Sequence, residues 1–96
     1  MHSVQSESLD RLMDVISSLE SKEECRKFFE DICTVKELLD MAQRLDVAIL
    51  LRKGMNYQTI SQQVNVSTAT ISRVSRCLNY GSGGYATALN KRMEEE

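Results

Sequence analysis

Apolar residues recur at helical spacing along almost the whole chain. Leu9, Leu12, Met13, Ile16 and Leu19 fall at i, i+3, i+4, i+7 and i+10, the single stripe of an amphipathic helix, with Asp10, Asp14 and Ser17 on its other side. Cys25, Phe28, Phe29 and Ile32 form the stripe of a second helix. Both phenylalanines of the chain lie in that one turn, so they are expected at the centre of the core. A third and longest helix, from Val35 to about Lys53, carries Leu38, Leu39, Met41, Ala42, Leu45 and the run Val47 to Leu51. A helix apolar over so much of its circumference needs partners on several sides, and a second subunit is expected to be one of them. Two short helices over residues 57–78 follow, and Tyr85, Ala88, Leu89 and Met93 mark a short last one. Residues 1–6 have no pattern and are expected to be disordered; residues 94–96 read as a frayed acidic tail.

Polar residues punctuate these helices. Ser21 with Glu24, and Thr34 with Glu37, fit capping boxes, in which each side chain bonds the other residue's backbone N–H. Gly54 closes the long helix with Arg52 and Lys53 at its negative dipole end, and Asn56 caps the next helix. The polar, glycine-rich segment after Leu78 ends the fifth helix. With no proline and four glycines in 96 residues, the reading is an all-α protein of six helices, one domain over residues 7–93.

The pair over residues 57–78 organises the rest. Ile60 and Val64 share one face of its first helix, Ile71 and Val74 one face of its second, and Val66 can plug the angle between them. Asn65 falls where the first helix must end, and asparagine tolerates the left-handed backbone used there. Ser67 then caps the second helix. This is the pattern of a helix-turn-helix, whose second helix enters the DNA major groove N-terminus first. Its outward positions, Thr68, Ala69, Thr70, Ser72, Arg73 and Arg76, are small or basic with no acid among them, so they can approach bases and phosphates closely. Gln58 and Gln62 are placed to reach flanking phosphates.

Net charge is only −2, but its distribution changes the picture. Residues 1–40 carry ten acids and five bases, residues 41–80 one acid and five bases, and residues 81–96 three acids and two bases. The positive segment contains the helix-turn-helix. Cys25, Cys33 and Cys77 are odd in number and form no Cys-x-x-Cys pair, so neither a disulfide framework nor a zinc finger is expected, and buried thiols in a reducing cytoplasm are. No apolar run reaches the roughly 20 residues of a membrane span, and the N-terminus lacks the features of a secretory signal. Catalysis is not expected: the one histidine, His2, is terminal, and no nucleophile–base pair, phosphate loop or metal-ligand cluster stands at a recognisable spacing.

The run from Thr34 to Leu78, with its capped long helix, Leu-Leu-Arg-Lys-Gly ending, turn, and Ala69-Thr70-Ile71-Ser72-Arg73, resembles the Trp repressor superfamily. From about Leu9 to Leu89, including CRKFFEDICTVKELLDMAQRLDVA and RCLNYGSGGY, the chain looks like the small bacterial Trp repressor-related proteins of the YerC/YecD type. The resemblance implies a Trp repressor-like, intertwined homodimer presenting two helix-turn-helix units to a palindromic operator. It also places Ser67, Thr68, Ala69, Thr70 and Ser72 at positions that Trp repressor brings to DNA.

The same resemblance matches Arg44 and Arg73 to the two arginines between which Trp repressor holds tryptophan, and Thr34 and Thr70 to residues lining that pocket. The glycine that leaves room for the indole corresponds to Val74. A β-branched side chain there should fill the slot, which argues against tryptophan as a cofactor; Arg44 and Arg73 then read as phosphate contacts or internal ion pairs. The expected function is a sequence-specific DNA-binding regulator, a repressor, acting as a homodimer on double-stranded DNA. The alternative is a protein-interaction module on the same scaffold without independent operator binding, for which the low total charge speaks.

Overall fold

The computed structural model describes residues 6–95, and the side chains of residues 6–92. Six helices follow one another: α1 (Glu7–Ser17), α2 (Lys22–Ile32), α3 (Val35–Arg52), α4 (Tyr57–Val64), α5 (Thr68–Tyr80) and α6 (Gly84–Glu95). The described residues contain no strand, and the fold is all-α. The contacts gather into two compact units, Met1–Leu38 and Leu39–Glu96.

In the first unit the helix starts are set by side chains. Ser6, expected within a disordered terminus, instead caps α1: its hydroxyl accepts from the Leu9 N–H at 3.0 Å, satisfying a donor the helix itself cannot. The rest of that expectation, residues 1–5, lies outside the described residues. Ser21 caps α2 by accepting from the Glu24 N–H at 3.0 Å. The Glu24 carboxylate, however, takes the N–H of Glu20 at 3.1 Å and not that of Ser21, so the box closes one residue further back than expected. The Thr34–Glu37 box at the start of α3 is complete, with Glu37 N–H donating to the Thr34 hydroxyl at 3.1 Å and Thr34 N–H to the Glu37 carboxylate at 2.8 Å.

None of the described residues of this first unit is buried. Phe28 and Phe29 stand edge to face, with centroids 5.5 Å apart, but both are only half-buried. The expectation that they centre the core is therefore corrected. In the same unit, Met13, Ile32 and Val35 are 48%, 53% and 74% exposed.

The core lies in the second unit, where Val47 and Ala48 of α3, Ile60 of α4, Ile71 and Val74 of α5 and Leu89 of α6 form one buried cluster. Leu50, Met55, Val64, Val66 and Tyr85 pack around it. The long helix stops at Arg52, one residue before the expected end, because Gly54 adopts φ +84° and the chain reverses. Met55 N–H then reaches the Leu50 carbonyl at 3.2 Å and Gly54 N–H that of Leu51 at 3.0 Å, the paired bonds of a Schellman motif.

Two later boundaries also differ from the sequence reading. α5 continues through Asn79 and Tyr80, because the stop is Gly81 and not the polar residues before it. A Cβ at Gly81 would collide with the Cys77 carbonyl, which accepts the Gly81 N–H at 2.8 Å. On α6, Leu89 is buried and Tyr85 and Ala86 are half-buried, whereas Ala88, assigned to the apolar stripe from sequence, is exposed. α6 extends to Glu95, through part of the tail read as frayed, while the Met93 side chain and Glu96 fall outside the description.

Candidate nucleic-acid interface

α4 and α5 pack against each other across a short turn whose two flanking helices are capped by side chains. Asn56 caps α4, its side-chain oxygen accepting from the Thr59 N–H at 2.8 Å. At the other end Asn65 takes φ 60°, ψ 51°, the left-handed conformation expected of it, while its N–H reaches the Ser61 carbonyl at 3.0 Å. Asparagine bears that conformation at lower cost than most residues with a Cβ. Val66 is half-buried against the core, and the Ser61 hydroxyl donates to its carbonyl at 2.9 Å. Sequence reasoning missed this clamp, since a serine inside a helix carries no signal that it will reach a carbonyl five residues on.

Ser67 begins α5. Its hydroxyl accepts from the Thr70 N–H at 3.2 Å and lies 3.1 Å from the Thr70 hydroxyl. Beyond the cap, Ile71 and Val74 point into the core, so the opposite side of the helix is fixed by geometry. Thr68, Ala69, Ser72, Arg73 and Arg76 are all exposed on it, as is Ser67 itself; Thr70, expected outward, is half-buried. On α4, Gln58 and Gln62 are exposed. At about 1.5 Å per residue, Thr68 and Arg76 stand about 12 Å apart along the axis.

The electrostatics of this surface are one-signed. Between Val47 and Met93 the chain contains no aspartate or glutamate, but six lysines and arginines. Among the described residues neither Arg73 nor Arg76 has a carboxylate within ion-pair distance. Cationic groups left unpaired beside hydroxyls at a helix N-terminus can meet phosphates and base edges.

Of the residues matched to an effector pocket, Thr34 is exposed with its hydroxyl accepting from the Glu37 N–H at the start of α3, and Arg44 and Arg73 are exposed. Val74, at the position matched to the slot glycine, is 2% exposed within the core. No group of three or more histidines, cysteines, aspartates or glutamates among the described residues could hold a metal ion, and no helix among them is long and apolar enough to cross a membrane.

A capped, buried-face helix pair with an exposed, acid-free second helix defines a helix-turn-helix protein. Its family is also defined: the chain belongs to the Trp repressor family, whose model, described as Trp repressor protein, matches residues 7–93. This is a family of regulatory DNA-binding proteins and not of enzymes. The uncharacterized protein YerC of Bacillus subtilis (strain 168) is 48% identical over 93 residues, covering 97% of this chain and 89% of that protein. A TrpR-like protein from Eubacterium eligens shares 41% identity and superposes with a TM-score of 0.87 over 92% of this chain and 91% of that one. The structure of a candidate Trp repressor from Staphylococcus aureus gives 46% identity and 0.88, covering 97% and 92%.

Proposed function

We propose that this chain is a sequence-specific transcription regulator, a repressor, that works in the cytoplasm as a homodimer on a palindromic operator. The observation that carries the reading is the exposed face of α5, where Thr68, Ala69, Ser72, Arg73 and Arg76 stand clear opposite the buried Ile71 and Val74. Thr68 and Ala69, at the start of the helix, meet base edges, their methyl groups suiting a thymine methyl. Ser67, Thr70 and Ser72 supply hydroxyls to bases or phosphates, while Arg73, Arg76, Gln58 and Gln62 hold the backbone.

Dimerisation is supported by the first unit. Helices whose apolar stripes leave no residue buried within one chain cannot repay the entropy of their ordering, and a second copy offers a matching apolar surface. Val35 and Leu39, at 74% and 58% exposure, lie four residues apart on one edge of α3. Twofold symmetry then sets two recognition helices for two half-sites.

The test is to incubate the purified protein with sheared DNA of its own organism at near-physiological salt and to sequence the bound fragments. A short palindrome should be enriched, and the enrichment should vanish in the Thr68→Ala, Arg76→Ala double variant. A flat profile would favour the interaction module, for which the net charge of −2 speaks. A salt series separates the two, since DNA binding weakens steeply with salt and a protein contact in a groove does not.

A further inference from the structure

We propose that Tyr80, at the C-terminal end of α5, is a further DNA-binding residue, whose phenol donates to a backbone phosphate beside the bases that α5 reads. The inference rests on the operator-binding reading above and adds a contact to it. In the sequence Tyr80 belongs to the polar, glycine-rich segment, but the helix continues through it and stops at Gly81, whose N–H reaches the Cys77 carbonyl at 2.8 Å. Tyr80 is thereby held in helical register.

That register places it on the candidate DNA face. Ala69, Arg73, Arg76 and Tyr80 follow one another at steps of four, three and four residues, so they form a single row along α5, with its two ends about three turns apart. The row lies opposite the buried Ile71 and Val74 and the half-buried Leu78. Tyr80 is 86% exposed there, more than any other large apolar side chain described, and among the described residues its hydroxyl has no hydrogen-bond partner.

Position and charge both select a phosphate. At about 1.5 Å per residue Tyr80 stands about 18 Å along the axis from Thr68, and the major groove is only about 8.5 Å deep. With the N-terminus of α5 against the base edges, Tyr80 is therefore at the rim, where the phosphates are, and a tyrosine hydroxyl is among the donors that bind them. No aspartate or glutamate occurs between Val47 and Met93 to repel an anion, and Arg76 is one turn back on the same row. The carbonyl end of a helix carries about half a negative charge, which the full positive charge of Arg76 outweighs. Arg76 attracts the phosphate and the neutral phenol fixes it.

The experiment compares wild type, Tyr80→Phe and Tyr80→Ala on the enriched palindrome and on a scrambled duplex across a salt series. Because the side chain is exposed, both variants should melt as the wild type does. Tyr80→Phe removes only the hydroxyl and should bind both duplexes about fivefold more weakly, since a phosphate is present in every sequence. Its salt slope should equal that of the wild type, because a neutral donor releases no counterion, whereas Arg76→Ala lowers the slope. When the phosphates of the palindrome are replaced one at a time by uncharged methylphosphonates, the difference between wild type and Tyr80→Phe should disappear at one position.

Wild-type affinity of Tyr80→Phe on both duplexes would overturn the inference, as would a loss confined to the palindrome, the mark of a base contact. A change in the oligomeric state of Tyr80→Ala on light scattering would also overturn it, by placing the ring between copies of the chain. A wild type that binds palindrome and scrambled duplex equally would remove the operator-reading function, while the fivefold loss in Tyr80→Phe would still establish the phosphate contact. A wild type that binds neither duplex would remove both.

Discussion

Asn65 is the residue on which the angle between α4 and α5 turns, and replacing it gives a two-sided test. Its backbone sits at φ 60°, ψ 51°, where a Cβ crowds the neighbouring carbonyl, while its N–H still bonds the Ser61 carbonyl at 3.0 Å. An ordinary L-residue in this conformation carries about 1–2 kcal/mol of strain, and asparagine less. Asn65→Ala should therefore lose about 1 kcal/mol per chain. Asn65→Gly removes the strain but widens the unfolded ensemble by about 0.5–1 kcal/mol, so the two effects nearly cancel. For a domain of this size, 1 kcal/mol corresponds to about 4–8 °C in melting temperature. The assay is thermal unfolding followed by circular dichroism for the three proteins at one fixed chain concentration, because the melting point of any self-associating chain depends on concentration. The wild type and Asn65→Gly should melt close together, with Asn65→Ala clearly lower. An alanine variant melting at or above the wild type, or a glycine variant melting below the alanine one, would refute the argument that left-handed strain sits at this turn.

Further expectations concern the core, the helix stop, the dimer and the DNA face. Ile60→Ala removes a fully buried side chain shared by α3, α4 and α5, and urea titration should show a loss of about 2–5 kcal/mol; under about 1 kcal/mol would mean that the site collapses freely. Gly81→Ala drives a Cβ into the Cys77 carbonyl, so backbone must shift; the same titration should show a loss of about 1–3 kcal/mol, and a neutral result would contradict the close approach. Leu39→Glu puts a charge on an apolar edge that is 58% exposed in the single chain; under the proposed homodimer, light scattering should find dimers for the wild type and monomers for the variant. Arg76→Ala should weaken binding to all duplexes and lower the salt slope by about 1, whereas changing Thr68 should alter sequence preference; the reverse would exchange their roles.

What the sequence determined by itself was local. Ser67, Asn56, Asn65, Gly54 and the Thr34–Glu37 box each act within a few residues of their own position, through a cap or a backbone conformation that a residue type permits or forbids. The pairs Ile60/Val64 and Ile71/Val74 followed from the 3.6-residue period alone, and with them the outward side of α5 and most of the candidate DNA face. Where the reading slipped by one residue, as in the choice of Glu20 over Ser21 by the Glu24 carboxylate, two donors of equal chemistry competed and geometry selected one.

Burial, by contrast, belongs to contacts between residues distant in the chain, and only the tertiary structure decided it. Phe28 and Phe29 are the largest apolar side chains in a helix of strong pattern, yet Val47, Ala48, Ile60, Ile71, Val74 and Leu89 make the core because four helices converge on them. The same convergence took Leu89 inward and left Ala88 outside, and it joined Arg52 to Asn90 at 2.8 Å across 38 residues. Periodicity marks the residues that could be buried; which of them are depends on what packs over them, and that is settled only when the helices meet.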